Sequence, residues 1–245
     1  MRIYEIIKIL TEGIPKTETW PVCANEPYGV YNIIENIEVK RILYCVTATE
    51  DVVTYFKENK YDLLISHHPF IVDVPQFICH TALDCCKDGL NDIWKDYLGI
   101  KDAMHFDANL GWCGDIEPIN FFDLIKKITD LTGEPIFNAE CNDYNKINGI
   151  IDNIVLCTGL GGAVQQQAFN TGSTCYIVGE GNMYLDFPAY IEIGHTLSEQ
   201  VGIITLKVLL QNVIIDLAPL DVDYFNVDEF DRFCLKKEAN CEEGD

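Results

Sequence analysis

The sequence has few basic residues and no long uninterrupted apolar run. Its 245 residues include 17 Lys or Arg against 39 Asp or Glu, and no Lys or Arg lies between Lys146 and Lys207. A surface with so few cations gains little from counterion release, so duplex nucleic acid is not an expected partner. The longest apolar runs, 151–160 and 202–215, contain polar residues and fall short of the roughly 20 residues that span a bilayer. No membrane span is therefore expected.

The cysteines show no CxxC pair, and their number, eleven, is odd. Cys45, Cys157 and Cys175 lie within apolar, strand-like segments, where a thiol behaves as a small hydrophobic side chain. Residues 1–10 have apolar side chains at helical spacing, which favours an amphipathic helix over the core of a signal peptide. A disulfide framework is thus not expected, and reduced cysteines indicate a cytoplasmic protein.

Hydrophobic periodicity predicts alternating strands and helices. This alternation is typical of βαβ units in an open, mostly parallel or mixed sheet, so the predicted fold class is α/β. Helices are predicted at 2–12, 51–59, 91–97, 121–131, 162–170 and 196–210. Strands are predicted at 41–46, 62–66, 77–81, 153–158, 174–178, 189–193 and 212–217.

A polar stretch at 130–148, rich in Asn and containing Gly133 and Pro135, divides the chain into two predicted halves. The first α/β half covers residues 1–130 and the second 150–220. The acidic residues 221–245 are predicted to be a solvated tail. The N- and C-terminal segments could pack together.

The adjacent histidines His67 and His68 follow a predicted buried strand, at the end where α/β sheets place their ligand crevices. Neighbouring imidazoles on an extended chain point to opposite sides and so do not readily share one ion. They could each serve one of two ions lying side by side. Alternatively, they are two hydrogen-bonded histidines in a turn.

Two further motifs contain residue types that bind metals. Asp84 ends the sequence HTALD at 80–84, and His195 and Glu199 lie four residues apart in GHTLSE at 194–199. A spacing of four places both side chains on one helical face, where they can converge on one ion. Each motif also has a structural interpretation. Asp84 could cap a helix or a turn, and His195 and Glu199 could form a surface hydrogen bond.

Three other features have a weaker chemical interpretation. The glycines at 159–162 could present backbone amides to an anion, but the segment lacks a P-loop lysine, and a tight strand-to-helix turn is the simpler role. His80 and His105 could act as a general acid or base, or they could be structural.

Together these motifs resemble the NIF-three-like family, whose members are often described as type 2 homologues of GTP cyclohydrolase I. Residues 62–70, DLLISHHPF, are similar to its histidine-pair motif, 80–84 to its HTNLD motif, and 194–199 to its GHxxSE motif. Four further features follow one another along the chain as they do in the family: Gly89, the pair Asn91-Asp92, Gly99 and the glycine-rich segment 159–168.

The resemblance implies two similar α/β halves with a dinuclear metal site at their interface. The implied ligands are His67, His68, Asp84, His195 and Glu199. It also implies a ring-shaped homo-oligomer, commonly a hexamer. Three departures from the family concern the pocket. The interval from His68 to Asp84 is shorter than usual, Ala82 replaces an Asn, and residues 18–31 lack the family's WDNxGL sequence.

Three imidazoles and two carboxylates suit two divalent transition-metal ions, whether Zn, Mn, Fe, Co or Ni. The leading hypothesis is a metal-dependent hydrolase of a phosphoester or nucleotide-like small molecule, with His67, His68 and Glu199 acting through a metal-activated water. One alternative is a non-catalytic metal-binding or regulatory protein that acts through partners. Another is a ring-opening hydrolase of the GTP cyclohydrolase type.

Overall fold

The computed structural model describes residues 1–107, 109–143, 147–181 and 187–211, and the backbone of 216–219. The described chain forms two compact units. The first contains Met1–Ile93, His105–Trp112 and the described residues from Glu199 onward. The second contains Trp94–Met104 and the described residues of Cys113–Ser198. Both units are built from interrupted stretches of chain, whereas the predicted halves, 1–130 and 150–220, are consecutive and stay a prediction.

The first unit contains a five-stranded sheet in the order β1-β4-β3-β2-β11. Strands β2, β3, β4 and β11 run parallel, and β1 is antiparallel to β4. The strands are β1 (Gly29–Tyr31), β2 (Arg41–Cys45), β3 (Leu63–Ser66), β4 (Gln76–Ile78) and β11 (Asp216–Pro219). Every residue of β3 is buried, which is the pattern expected of a strand covered on both faces.

The helix between β2 and β3 shows how local sequence and packing agree. Helix α2 (Glu50–Glu58) begins after Thr49, whose side chain accepts a hydrogen bond from the Val52 backbone N–H. Its apolar face buries Val52 and Phe56 in a cluster that includes Leu43 and Leu64. This packing closes a β-α-β unit and aligns the ends of β2 and β3.

The second sheet has six strands in the order β5-β6-β8-β9-β10-β7. Strands β8, β9 and β10 are parallel, and β7 is antiparallel to β10. The strands are β5 (Lys101–Phe106), β6 (Gly111–Asn120), β7 (Asn138–Cys141), β8 (Ile150–Cys157), β9 (Cys175–Val178) and β10 (Ala189–Glu192).

The remaining helices connect these strands. Helix α5 (Phe121–Thr132) is capped by the Asn120 side chain and ends at Gly133, whose φ of 75° is the left-handed conformation that favours glycine. The others are α1 (Ile3–Gly13), α3 (His80–Cys85), α4 (Leu90–Leu98), α6 (Gln165–Asn170), α7 (His195–Gln200) and α8 (Gly202–Leu210). Among the described residues, no helix is long and apolar enough to cross a membrane.

The α/β class predicted from the sequence is confirmed, with corrections to individual elements. The strand predicted at 77–81 ends at Ile78, because a helix already begins at His80. The helix predicted at 196–210 is two helices separated at Val201. The polar stretch 130–148 also contains β7, which pairs with β10. Residues 212–215 of the last predicted strand and the predicted tail 221–245 lie outside the described residues.

Candidate metal centre

The histidine pair extends the ladder between β2 and β3 beyond the end of β3. The His67 backbone N–H donates to the Cys45 carbonyl at 3.0 Å, and the His68 N–H donates to the Val46 carbonyl at 2.8 Å. The His67 side chain is fully buried, whereas 17% of the His68 side chain is exposed. The two ring centroids lie 5.3 Å apart. The ladder therefore places both residues at the carboxyl end of the sheet, as the sequence predicts, but the two rings face the same carboxylate and do not point to opposite sides as expected.

The Glu199 carboxylate faces both imidazoles of the pair. Its Oε1 lies 3.3 Å from His67 Nε2, and its Oε2 lies 3.1 Å from His68 Nε2. Glu199 is 2% exposed, and its backbone carbonyl accepts a hydrogen bond from the Tyr44 hydroxyl at 3.0 Å. Each oxygen of one carboxylate is thus directed to a different histidine.

A second carboxylate approaches His67 from α3. Asp84 Oδ1 lies 3.8 Å from His67 Nε2, and Asp84 is 6% exposed. The Asp84 backbone carbonyl accepts a hydrogen bond from the Asn91 side chain. His67, Asp84 and Glu199 offer ligand atoms that all lie within 4.8 Å of one another. This group and His68 are called the histidine–carboxylate cluster below.

The electrostatics of the cluster favour a bound cation. Burial alone lowers the pKa of His67, but the negative charges of Glu199 and Asp84 outweigh it and raise that pKa well above its usual value. Among the described residues, no partner gives either His67 ring nitrogen a hydrogen bond of good geometry. A buried imidazole beside two carboxylates is a mixed nitrogen and oxygen donor set, which fits a divalent transition metal.

Thr47 supports the orientation of His68. The Thr47 hydroxyl and His68 Nδ1 form a 2.7 Å hydrogen bond. Where Nδ1 donates to the hydroxyl, Nε2 keeps its lone pair and faces Glu199 as a potential ligand. Outer partners of metal-binding histidines commonly make a hydrogen bond of this kind.

The first unit brings together four of the five predicted ligands: His67, His68, Asp84 and Glu199. His195 is the first residue of α7 and belongs to the second unit. Its Nδ1 lies 2.8 Å from Glu180 Oε2. A carboxylate partner on one ring nitrogen commonly orients a metal-binding histidine.

The other predicted features have structural contacts. The His105 ring lies on Trp112 with 3.5 Å between ring centroids. At the glycine-rich turn, a side chain at position 161 would overlap Val178, so close packing accounts for Gly161. His80 lies 5.1 Å from His67 and 5.6 Å from His68, centroid to centroid. Its Nδ1 is 2.6 Å from Glu26 Oε2.

Sequence reasoning missed Glu26 and Cys23 as neighbours of His80. With His80 they form a further group of metal-type donors. Their i, i+3 spacing in the sequence CANE was the available signal. Both residues lie in the segment 18–31, which lacks the family's WDNxGL sequence and matches no family motif.

The short interval between His68 and Asp84 is visible in the structure. Residues 69–75 form an irregular connection, followed by β4 and α3. The chain thus returns from the histidine pair to Asp84 through one short strand.

Two sheets flanked by helices, with imidazoles and carboxylates buried at the end of one sheet, define a class of α/β proteins with a candidate metal centre. The family model Duf34/NIF3 (NGG1p interacting factor 3) matches residues 1–78 and 72–228. The chain belongs to the Duf34/NIF3 family.

Named relatives agree with this assignment, and a solved structure shares the fold. A protein of Streptococcus pneumoniae named GTP cyclohydrolase 1 type 2 homolog is 23% identical over 197 residues, covering 63% of this chain and 73% of the relative. A protein of the same name from Methanothermobacter thermautotrophicus is 25% identical over 191 residues, covering 72% and 76%. A hypothetical protein of Staphylococcus aureus superposes with a TM-score of 0.71 at 19% identity, covering 92% of this chain and 99% of the other. At that identity the likeness shows the fold alone.

Proposed function

We propose that this chain is a dinuclear metal-dependent hydrolase that acts on a phosphoester or nucleotide-like small molecule. The observation that supports it best is the Glu199 carboxylate, whose two oxygens face the Nε2 atoms of His67 and His68. A carboxylate so placed can serve two ions, each with its own imidazole. Asp84 adds a carboxylate on the His67 side, and His195 is included from its place in the GHxxSE motif.

A pair of divalent ions in such a site would supply Lewis acidity and lower the pKa of a coordinated water. The side chains of the chain would hold, orient and shield that site. His67, Asp84 and Glu199 are at most 6% exposed, which keeps bulk water from the buried side of the cluster. The half-buried His68 marks the side from which a substrate would approach.

Charge also restricts the substrate. The chain carries a formal net charge of −22, so an anionic substrate is repelled by the protein as a whole. Metal cations would therefore have to provide the attraction for a phosphate group. This argument favours a small phosphoester over a long polyanion.

Burial of the cluster favours a second candidate function. Three of the four clustered side chains are nearly inaccessible, and metal sites without a catalytic role are commonly closed to solvent. In that case the chain binds metal without catalysis and acts through partners. The two candidate functions use the same metal ligands, but only the hydrolase converts a substrate.

The first experiment measures metal content and hydrolysis with the purified full-length chain. We expect close to two transition-metal ions per chain and cleavage of a model phosphodiester. Metal content and cleavage should both fall in His68→Ala and Glu199→Ala. His105→Ala is the matched control for metal content, because it removes an imidazole that packs on Trp112 and belongs to neither group of candidate ligands.

The outcomes separate the candidate functions. A metal-loaded chain that is inert across a broad phosphoester panel contradicts the hydrolase and supports the non-catalytic role. Conversion of GTP to a ring-opened or pterin-type product would instead support the activity that the relatives' name suggests. Unchanged metal content in His195→Ala would remove His195 from the ligand set. Light scattering during size-exclusion chromatography tests the ring-shaped homo-oligomer that the family resemblance implies.

A further inference from the structure

A second group of donor side chains lies in the first unit, outside the predicted ligand set. Cys23, Glu26 and His80 offer a sulfur, an oxygen and a nitrogen, all within 4.8 Å of one another. All three residues are half-buried. This group is called the Cys23 cluster below.

A tight turn brings Cys23 and Glu26 together. The turn Pro21–Cys23 is followed by a hydrogen bond from the Glu26 backbone N–H to the Cys23 carbonyl at 3.0 Å. Side chains three residues apart across such a turn can face the same point. The spacing resembles that of paired ligands in structural zinc sites, where two donors commonly flank a short turn.

The turn is tied to the start of α3, where His80 lies. The Trp20 backbone N–H donates to the Thr81 hydroxyl at 3.3 Å. Glu26 Oε1 accepts hydrogen bonds from the Thr81 hydroxyl at 3.0 Å and from the Thr81 backbone N–H at 3.3 Å. Its Oε2 lies 2.6 Å from His80 Nδ1. Thr81 therefore holds Oε1 in place, and an ion bound by both Glu26 and His80 would replace the hydrogen bond at Oε2.

We infer that Cys23, Glu26 and His80 form an additional metal site, adjacent to the histidine–carboxylate cluster, for a thiophilic divalent cation such as Zn²⁺; His80 lies between the two, with its ring close to those of His67 and His68. Zn²⁺ is commonly bound by three protein donors of these types with a fourth position open. The thiol distinguishes this site chemically, because the predicted ligands of the dinuclear centre are only imidazoles and carboxylates. The site goes beyond the proposed function and does not depend on it.

The surroundings of Cys23 favour the protonated thiol. Burial raises the pKa of the Cys23 thiol most, and the charge and hydrogen bond of Glu26 and then the charge of Asp84 raise it further, to about 11. A bound cation inverts this balance, because a coordinated thiol gives up its proton and binds as the thiolate. Loading of the site should therefore release the thiol proton to solvent.

Titration of the metal-free full-length chain with Co²⁺ tests the site directly. Coordination by Cys23 should produce a thiolate-to-cobalt charge-transfer band in the near ultraviolet. The band should be lost in Cys23→Ser and retained in Cys141→Ser, which removes another half-buried thiol, in β7. After loading with excess Co²⁺, the wild-type chain should hold one ion more than the two of the dinuclear centre, and Cys23→Ser should hold only those two. A band of unchanged intensity in Cys23→Ser would overturn the proposal.

A second measurement needs no variant. Alkylation of Cys23 by iodoacetamide, followed by mass spectrometry, should slow at least tenfold when Zn²⁺ is added to the metal-free chain, while alkylation of Cys141 stays unchanged. Equal rates with and without Zn²⁺ would count against the site. The cobalt band should also persist in His68→Ala, so failure of the dinuclear centre and failure of the Cys23 cluster give different results.

Discussion

The histidine–carboxylate cluster and the Cys23 cluster are neighbours in one unit but are built in different ways. The first combines residues at the end of β3 with Asp84 on α3 and Glu199 on α7, and three of its members are nearly inaccessible. The second depends on a turn that is tied to the first residues of α3, and its members are half-buried. Ligands on regular elements are held by the fold itself, whereas ligands on a turn depend on local hydrogen bonds.

This difference leads to an expectation about affinity. The ligands of a rigid, buried cluster are already ordered in the folded chain. Metal binding there loses little side-chain entropy and should be tight. In the turn, part of the binding free energy is used to order the side chains. We therefore expect the histidine–carboxylate cluster to bind metal more tightly than the Cys23 cluster.

The largest expected effect is that of Glu199→Ala. This change removes the carboxylate that faces both imidazoles and leaves Asp84 as the remaining carboxylate ligand beside His67. Metal affinity at the cluster should fall by more than the roughly 10–100-fold typical of losing an outer partner. Isothermal titration with Zn²⁺ measures the change. Retention of both tight ions in Glu199→Ala would contradict the ligand assignment.

Metal removal should come next in size. A ligand present at about 100 times its dissociation constant stabilises the folded state by about 2.7 kcal/mol. For a chain of this length that corresponds to a fall in Tm of roughly 5–11 °C on chelation. Thermal unfolding with and without a chelator tests this. The shift should nearly vanish in Glu199→Ala and remain largely intact in Cys23→Ser. A large remaining shift in Glu199→Ala together with a lost shift in Cys23→Ser would mean that the Cys23 cluster binds metal more tightly, against the proposal.

The two clusters also differ in how far the sequence predicts them. The apolar run before His67 identifies a buried strand, and the end of such a strand is where ligands gather. The approach of Glu199 to this pair follows from chain topology, which composition and spacing do not specify. The family motifs supplied that link. The sequence HTALD gave no sign that a helix begins at His80, because its apolar residues suit a strand equally well.

Cys23 and Glu26 could not be assigned in the same way. Their segment has no regular periodicity, and its conformation depends on contacts with Thr81, 55 residues further along the chain from Glu26. Strand β7 was missed for a similar reason. Its residues are polar and half-buried, and they form a strand because they pair with β10. Tertiary contacts decide such segments, and local propensity does not reveal them.

Thr47→Val should produce a smaller effect that is confined to the histidine–carboxylate cluster. The substitution keeps the side-chain shape and removes the hydrogen bond to His68 Nδ1. Loss of such an outer partner typically costs 10–100-fold in metal affinity. Because His68 is partly exposed, we expect a value near tenfold. Zn²⁺ titration should show weaker binding at this cluster, and the cobalt–thiolate band should be unchanged. Equal weakening at both clusters would indicate a general loss of folding.

Thr81→Val is the corresponding change at the Cys23 cluster and should have the smallest effect. It removes the hydrogen bond that the Thr81 hydroxyl donates to Glu26 and the one that it accepts from the Trp20 backbone N–H, while the Thr81 backbone N–H still donates to Glu26. A single hydrogen bond to a charged group contributes about 1.5–3 kcal/mol, but the half-buried Glu26 can regain part of that from water. We expect Co²⁺ affinity at Cys23 to fall by about threefold to tenfold, with the tight ions retained. If Thr81→Val instead weakened the tight ions, the two clusters would share one ligand framework, and the distinction between a fold-built and a turn-built site would fail.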